Sequence, residues 1–401
     1  MDDGNEVASD ELDVVDLLAE LVARDSQNPG GDERLVAAYV AEVARAAGFD
    51  VRIVHGEPER PNVIVDVDAG GPRCVGFNAH LDTKPVGDAA SSWTTDPLRL
   101  TLRDGRAYGL GTSDMKGAVA ALLCAAIRWA RTAEQGRIQL VFTADEEAGS
   151  AHGAQLLAER GAVDAEALLV AEPSGMAHSW EAVYLVSRGI ACFDVTVDAT
   201  QGHSGLSERL GTSATVGAAR LIDALARLQP SHPSAAAIAQ APTVNAAVRM
   251  EGGVTFGVHP GFARFASEVR LVPGMAPETL DRELRATLDA ALAPGVNYEL
   301  TYEDGPLGWS DAAAIAPEHR LVASVQRAAQ QVLGRSLPLD AYPGGTDASV
   351  FTLKAGIPSI AAFGPGLLSV AHGADEYVPV ADLHEAVAMY ELVMRDYLGA
   401  G

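Results

Sequence analysis

Apolar positions follow two different spacings along most of the chain. Residues 11–24 and 33–47 carry apolar side chains at helical spacing, and Gly48 ends the second segment. Continuous apolar runs predict buried strands at VRIV, NVIVDV, RCVGFNA, IQLVFTA and ALLVA. Because these strands alternate with helices, such as the one expected at about 116–131, the pattern predicts a largely parallel sheet flanked by helices.

The pattern changes near residue 183. Two strands are expected within YLVSRGIACFDVTVDA, followed by a helix at 212–228, strands at 243–250 and 264–272, a helix at 277–292 and a strand at 297–302. This order predicts an α+β domain of the split βαβ, ferredoxin-like type. From about residue 305 the α/β pattern resumes. We therefore predict an α/β catalytic domain in two parts, residues 1–182 and 305–401, interrupted by an inserted domain at residues 183–304.

Composition narrows the class of protein. A length of 401 residues favours two domains, and a formal net charge of −25 argues against nucleic acid or an anionic membrane as partner. Residues 1–13 are acidic and lack an apolar stretch, so no signal or transit peptide is expected, and no window of the sequence approaches the roughly 18–20 apolar residues of a membrane span. Cys74, Cys124 and Cys192 are widely spaced within apolar segments, which predicts buried free thiols and a cytoplasmic location.

Five residues of metal-binding types follow predicted strands or lie in glycine-rich loops. They are His80 in FNAHLD, Asp114 in GLGTSDMKG, Glu147 in TADEEAG, Glu172 in VAEPS and His372 in VAHGADE. Because ligands of open α/β sheets bind beyond the carboxyl ends of the strands, we expect these side chains to converge. Two imidazoles and three carboxylates suit two divalent ions such as zinc, with one carboxylate bridging them. Taken alone, Asp114 would also fit the N-cap of the following helix.

Two neighbours of these residues have predicted roles in the chemistry. Asp82 lies at the offset where its carboxylate could accept the second N–H of a metal-binding His80. Residues 145–147 are three consecutive acids that would repel one another unless cations compensate them, although a solvated charge run is the alternative. We predict Glu147 as a metal ligand. Glu146 is predicted as the general base that takes a proton from water and later gives it to the leaving amine.

In this order, the motifs resemble the family of acetylornithine deacetylase, succinyl-diaminopimelate desuccinylase, aminoacylase and bacterial glutamate carboxypeptidase. The resemblance extends from SQNPGGDE to the terminal helix. It implies two zinc ions, with cobalt as an alternative, held by His80 and Glu172 on one side, Glu147 and His372 on the other, and Asp114 between them. It also implies Asp82 behind His80 and Glu146 as the acid and base.

The resemblance also covers the insert, where it implies a lid and dimerisation domain. In a homodimer of this type one histidine, here His203 in GHSG, reaches the partner subunit's active site and stabilises the oxyanion of the tetrahedral intermediate. The resemblance further implies that the substrate is bound by Arg188, Asn245, Arg270 and Thr346, since arginine pairs bidentately with carboxylates. The chain has Glu268 where the family has aspartate two residues before the arginine, and we expect the longer acid to shift Arg270.

The expected function is that of a two-metal amidohydrolase. Its substrate would be an N-acyl amino acid or a short peptide with a free carboxylate. A hydrolase of N-carbamoyl amino acids remains an alternative with the same metals. A two-metal phosphoesterase would lack the usual phosphate-cradling glycine and lysine motifs. A non-catalytic metal-binding homologue is the third alternative, against which the intact Glu146 argues.

Overall fold

The computed structural model describes residues 12–30, 32–233, 238 and 240–399. They form two compact units. The first comprises the described residues up to Leu185, Pro317–Asp340 and the described residues from Val350, and the second comprises Val186–Ala316 and Ala341–Ser349. The bounds of the insert given above, and its role as a lid, stay predictions. The expectation that the chain starts without a targeting segment concerns residues that lie mostly outside the described part.

The regular elements are numbered in chain order. The strands are β1 Asp50–His55, β2 Pro61–Asp68, β3 Cys74–His80, β4 Thr101–Arg103, β5 Arg106–Tyr108, β6 Arg137–Thr143, β7 Ala167–Val170, β8 Pro173–Gly175, β9 Val183–Ser187, β10 Gly189–Asp198, β11 Gly202–His203, β12 Thr243–Gly252, β13 Val258–His259, β14 Phe262–Leu271, β15 Asn297–Tyr302, β16 Ala313–Ala314, β17 Leu339–Ala341, β18 Ser359–Ile360, β19 Gly364–Leu367 and β20 Tyr377–Pro379. The α-helices are α1 Val14–Val22, α2 Arg34–Ala46, α3 Gly117–Ala130, α4 Ala154–Glu159, α5 Ser207–Leu210, α6 Ala214–Ala226, α7 Pro277–Ala291, α8 Arg320–Leu333, α9 Asp347–Leu353 and α10 Val380–Leu398.

The first unit contains a six-stranded sheet in the order β1-β2-β6-β3-β7-β18. Strands β6, β3, β7 and β18 run parallel to one another, whereas β2 is antiparallel to β6 and β1 is antiparallel to β2 at one edge of the sheet. Every residue of β3 is buried, as expected for a strand covered on both faces. Helices α3 and α10 pack on β3, α2 on β1 and β2, and α8 on β7. The predicted α/β class is thereby confirmed.

The second unit contains an antiparallel sheet in the order β12-β14-β10-β15. Along the chain the order is β10, α6, β12, β14, α7 and β15, the predicted split βαβ arrangement. Leucines at helical spacing on α6 and α7, such as Leu221 and Leu284, are buried together with Phe193, Val195 and Phe265 of the sheet. The alternation of apolar residues along β10 therefore marks the face that packs against the two helices.

Two local expectations need correction. The apolar run SIAAFG predicts a buried strand at 358–363, but only Ser359 and Ile360 form strand β18, because the backbone at Ala361 turns to Tyr184, whose carbonyl accepts its N–H at 2.9 Å. Cys192 is half-buried rather than buried, since the period of two along β10 directs it away from the face that carries Phe193. Cys74 and Cys124 are buried, and within the described residues none of the three cysteines forms a disulfide. Each helix within the described residues is too short or too polar to span a bilayer.

Candidate metal centre

Three neighbouring parallel strands deliver polar side chains to one edge of the first unit's sheet. His80 is the last residue of β3, the acidic residues 145–147 follow β6, and Glu172 follows β7. Strand β3 lies between β6 and β7 in parallel register. Their carboxyl ends therefore meet at the same place, where open α/β sheets bind their ligands.

The five predicted ligands form two groups that share Asp114. His80, Asp114 and Glu172 make up the first group, and Asp114, Glu147 and His372 the second, with ligand atoms in each group all within 4.8 Å of one another. The Oδ1 atom of Asp114 lies 2.9 Å from His80 Nε2, and its Oδ2 atom lies 3.1 Å from His372 Nε2. Each carboxylate oxygen thus faces a different imidazole, as a bridging ligand requires.

Asp114 lies in a single π-helical turn, Thr112–Lys116, directly before α3. Its backbone is extended, with φ −127° and ψ 89°, and the N-cap of α3 is Lys116 rather than Asp114. A Cβ atom at Gly117 would lie 2.5 Å from the carbonyl oxygen of Thr112, so glycine permits the close return of the chain. Asp114 is therefore not the N-cap of the following helix, which was the alternative prediction for this residue.

Packing of charges shifts the pKa values of both groups. Burial, together with the neighbouring charge of Asp114, raises the pKa of Glu172 well above its usual value. Hydrogen bonds to Asp114 and Glu147 raise the pKa of His372 to about 10. Burial disfavours the charged form of His80, but its hydrogen bond to Asp114 contributes to a pKa well above the usual value. In the metal-free protein, the neighbouring carboxylates thus favour the protonated form of both imidazoles.

A backbone carbonyl orients the imidazole of His80. Nδ1 of His80 lies 2.9 Å from the carbonyl oxygen of Asp82, whereas the carboxylate of Asp82 is 3.6 Å away. Because a carbonyl oxygen only accepts hydrogen bonds, Nδ1 carries the hydrogen and Nε2 points to the other candidate ligands. The residue paired with His80 is the predicted one, but the atom is its backbone oxygen.

The carboxylate of Asp82 is instead bonded to the acidic turn. It is fully buried and accepts the backbone N–H groups of Glu146 at 3.2 Å and Glu147 at 3.0 Å. The side chain of Asn28 donates to the same carboxylate at 2.9 Å. Asp82 therefore fixes the backbone of both acids to which the sequence assigns chemistry.

Protein groups compensate the negative charge of Asp145, the first acid of the triplet. Asp145 accepts a hydrogen bond from Asn28 at 3.2 Å and lies 3.5 Å from Nη1 of Arg60. Arg60 also pairs with the buried Glu33 at 2.7 Å. The cation that compensates the charge of Asp145 is thus an arginine 85 positions earlier in the chain.

Two further residues near the site had no predicted role. Lys84 donates to the carbonyl oxygen of Glu147, and its Nζ lies 3.2 Å from Oε2 of the same residue. The buried Glu376 accepts backbone N–H groups of the loop that carries Asp114. Glu376 is the last residue of the predicted site motif VAHGADE, and Lys84 lies two residues after the motif FNAHLD, so closeness to these motifs in the sequence was a usable signal.

The other predicted site residues belong to the second unit. His203 ends β11 and is exposed, with its Nδ1 accepting the N–H of Gly205 at 3.1 Å. The following three contacts concern the predicted substrate-binding residues. Nη2 of Arg188 donates to the carbonyl oxygen of Arg270 at 3.0 Å, Asn245 donates to Glu268 at 2.8 Å, and the backbone N–H of Thr346 donates to Ser187 at 2.9 Å. Glu268 also accepts from Arg270 Nε at 3.3 Å, so it ties Asn245 and Arg270 together.

The donor set fits two divalent ions. Each group offers one imidazole nitrogen and two carboxylates, and three protein ligands with one open position are typical of catalytic zinc sites. The Nε2 atoms of His80 and His372 lie next to carboxylates, and a metal ion could bind there in place of the imidazole proton. Fold and side chains together define a candidate two-metal hydrolase.

The chain belongs to peptidase family M20/M25/M40, whose family model matches residues 76–396. It is therefore a hydrolase of amide or peptide bonds. Succinyl-diaminopimelate desuccinylase of Cereibacter sphaeroides is 31% identical over 96% of this chain and 99% of that protein. The desuccinylase of Parvibaculum lavamentivorans is 29% identical over 96% of this chain and 95% of that protein. An M20 family metallo-carboxypeptidase from Sulfolobus solfataricus has the same fold, with a TM-score of 0.80, 19% identity and coverage of 96% and 99%.

Proposed function

We propose that this protein is a two-metal amidohydrolase that removes the acyl group from an N-acyl amino acid with a free carboxylate. The observation that carries the proposal is the pair of candidate metal groups that share Asp114. The full-length similarity to proteins named succinyl-diaminopimelate desuccinylase favours an N-succinyl substrate over N-acetyl substrates and dipeptides.

In this proposal His80 and Glu172 hold one ion, Glu147 and His372 hold the other, and Asp114 bridges them. Zinc is the first choice for the metal and cobalt the alternative, because both accept imidazole and carboxylate ligands. When bound, the ions supply Lewis-acid activation of a water molecule and of the scissile carbonyl.

Glu146 performs the proton transfers. Its backbone N–H is held by Asp82, which supports the assignment of its carboxylate as the general base. It takes a proton from the attacking water, whose oxygen forms the new bond to the acyl carbon. The same proton then passes to the leaving nitrogen as the amide bond breaks, so the products are an amine and a carboxylic acid, which loses its remaining proton to become the carboxylate.

The second unit is proposed to bind the substrate. Glu268 accepts a hydrogen bond from Nε of Arg270. In this proposal the terminal guanidinium nitrogens of Arg270 bind the substrate carboxylate. Arg188, Asn245 and Thr346 are assigned to the same task, and His203 to stabilising the oxyanion. The cytoplasmic location expected from the sequence stays a prediction.

We also propose that a second copy of the chain pairs with the second unit. Strand β12 is an edge strand of its sheet, and edge strands offer unpaired backbone groups to a partner. Exposed apolar side chains surround this edge: Val248, Met250, Val254, Phe256 and Phe262. Sedimentation of Met250→Glu should show a monomer where the unaltered protein is a dimer. Leu35→Glu, which alters another exposed apolar residue, on α2, should leave the dimer intact. A monomeric unaltered protein would contradict this assembly.

A substrate panel tests the proposed activity. N-succinyl, N-acetyl and N-carbamoyl derivatives of the same amino acids, dipeptides and a generic phosphodiester are incubated with the zinc-loaded and cobalt-loaded enzyme. The expected result is release of succinate and free amine, abolished by chelation and restored by zinc. Release of ammonia from the carbamoyl compounds would support the carbamoyl hydrolase instead, and turnover of the phosphodiester the phosphoesterase. Succinate release that persists after exhaustive chelation would contradict the two-metal proposal.

A further inference from the structure

Glu376 is tied to the loop that carries Asp114 by four hydrogen bonds. Its Oε1 atom accepts the backbone N–H groups of Ser113 at 2.8 Å and Asp114 at 3.0 Å. Its Oε2 atom accepts the N–H of Gly111 at 2.9 Å, and its carbonyl oxygen accepts the N–H of Gly109 at 3.0 Å. Only 2% of the residue is exposed, so water does not compete for these bonds.

Strand pairing brings Glu376 to this loop. Strand β20 runs antiparallel to β5, with Tyr377 opposite Tyr108. The residue before β20 therefore faces the residues that follow β5, where the loop to Asp114 begins. His372 lies four positions before Glu376. One short segment thus carries both a candidate ligand and the carboxylate that holds the loop of another.

The loop around Asp114 requires such support. Within the π-helical turn, Asp114 and Met115 have non-helical backbone angles, so regular helical hydrogen bonding does not fix them. Two oxygens that receive three converging N–H groups restrict both the position and the rotation of this backbone. The side chain of Asp114 then starts from a fixed point, 2.9 Å from His80 Nε2 on one oxygen and 3.1 Å from His372 Nε2 on the other.

We propose that Glu376 is a positioning residue of the two-ion site, which holds Asp114 in the orientation where its two oxygens serve different ions. This inference rests on the proposed function in one respect, namely that the two groups bind metal together. Glu376 touches neither ion in this scheme. It acts through the backbone of residues 111–114, and its effect should be visible in metal binding without any substrate.

Metal titration of Glu376→Ala and Glu376→Gln tests the inference. Metal-free protein is titrated calorimetrically with zinc in the presence of a competing chelator of known affinity, and the visible spectrum is recorded after cobalt loading. Glu376→Ala should weaken the binding of both ions by about 10–100-fold, since Asp114 belongs to both groups. The metal affinity of Glu376→Gln should lie between those of the unaltered protein and Glu376→Ala, because the amide keeps one acceptor oxygen but turns its NH₂ group towards the N–H of Gly111. Both variants should also alter the cobalt spectrum.

Asp382→Asn is the matched control. Asp382 is buried in the same unit, where it accepts the N–H of Gly366 at 3.3 Å, and it belongs to neither group. It should bind two ions with unchanged affinity. Circular dichroism in the presence of chelator shows whether each variant is folded. If Glu376→Ala is unfolded, the metal affinity and cobalt spectrum of Glu376→Gln test the inference. Unchanged affinities and spectra in the Glu376 variants would overturn the positioning role alone. Failure of the unaltered protein to bind two ions would overturn the proposed function, and this inference with it.

Discussion

The carboxylate of Asp82 accepts the backbone N–H of Glu147 at 3.0 Å. It also receives the N–H of Glu146 and the side chain of Asn28, and it is fully buried. The carbonyl oxygen of the same residue orients His80. Asp82 thus contacts both candidate ion sites. Its backbone contacts His80 of the first site, and its side chain contacts Glu147 of the second site and the proposed base Glu146.

Asp82→Asn separates these two tasks. The amide has nearly the same shape, but its NH₂ group meets at least one of the N–H donors that the carboxylate accepts. The turn that bears Glu146 should shift, while the backbone contact to His80 remains. We expect kcat/KM on the best panel substrate to fall by about 10–100-fold. Asp68→Asn is the control, because the exposed Asp68 also accepts a backbone N–H, from Gly70 at 2.7 Å. Equal kinetics for the two variants would contradict this role.

The ends of the apolar strands were predictable from the sequence, and with them much of the candidate site. A mostly apolar strand covered on both faces has a distinctive composition, so His80 and Glu172 could be assigned to strand ends at one edge of a sheet. Parallel pairing then brings them together without any knowledge of side-chain contacts.

The supporting contacts could not be predicted, for two physical reasons. The partners of Asp82 and Glu376 are backbone N–H groups, which every residue has and no sequence pattern marks. The partner of Asp145 is Arg60, and a contact between residues so far apart depends on how β2 and β6 are paired. The hydrogen-bond acceptor of His80 depends on the local turn, where backbone and side-chain oxygens of Asp82 compete.

Glu146→Gln should abolish catalysis and leave metal binding intact. Glu146 is a member of neither candidate metal group, so its amide would still permit two ions to bind. Without a carboxylate to carry the proton, turnover should fall by about 10²–10⁴-fold. Glu147→Gln is the comparison, because it should lose affinity for the ion of the second group. Zinc content and kcat measured on the same samples distinguish the two. Undiminished turnover by Glu146→Gln would contradict its assignment as the base.

Arg60→Met should destabilise the first unit. Arg60 pairs with the buried Glu33 at 2.7 Å and donates to Asn28 at 3.1 Å. Removing one partner of a buried ion pair leaves an uncompensated charge, which lowers the free energy of unfolding by about 3–5 kcal/mol. Urea denaturation of the metal-free protein measures the loss. Arg34→Met should have little effect, because Arg34 and its partner Asp32 are exposed.

The destabilisation should also depend on pH. Burial, with the charge of Asp82, raises the pKa of Glu33 to about 7 even with Arg60 present. Because folding raises the pKa of this acid, the free energy of unfolding of the protein decreases as pH increases from the unfolded pKa, near 4.5, through the folded value. Without Arg60 that loss should be larger. The deficit of Arg60→Met should therefore be greater at pH 8 than at pH 5, and a deficit independent of pH would contradict the pairing.

Metal uptake should release protons and strengthen as pH rises. His372 Nε2 lies 3.1 Å from Asp114 and 3.1 Å from Glu147, and these hydrogen bonds raise its pKa to about 10 in the metal-free protein. Since the folded pKa exceeds the usual 6.5, the proton stabilises the metal-free fold below pH 6.5, and this contribution is lost as pH passes through about 10. At pH 7 an incoming ion must displace that proton.

The apparent affinity for the ion at His372 should accordingly increase by about tenfold per pH unit for each proton released. Zinc titration calorimetry between pH 6 and 8, repeated in buffers of different ionisation enthalpy, counts these protons. His372→Gln should lose one ion together with its proton release, whereas His152→Gln, outside both groups, should keep both. An affinity that does not change with pH would mean that His372 holds no proton for the ion to displace, and the carboxylates on either side of it would then need another source of positive charge.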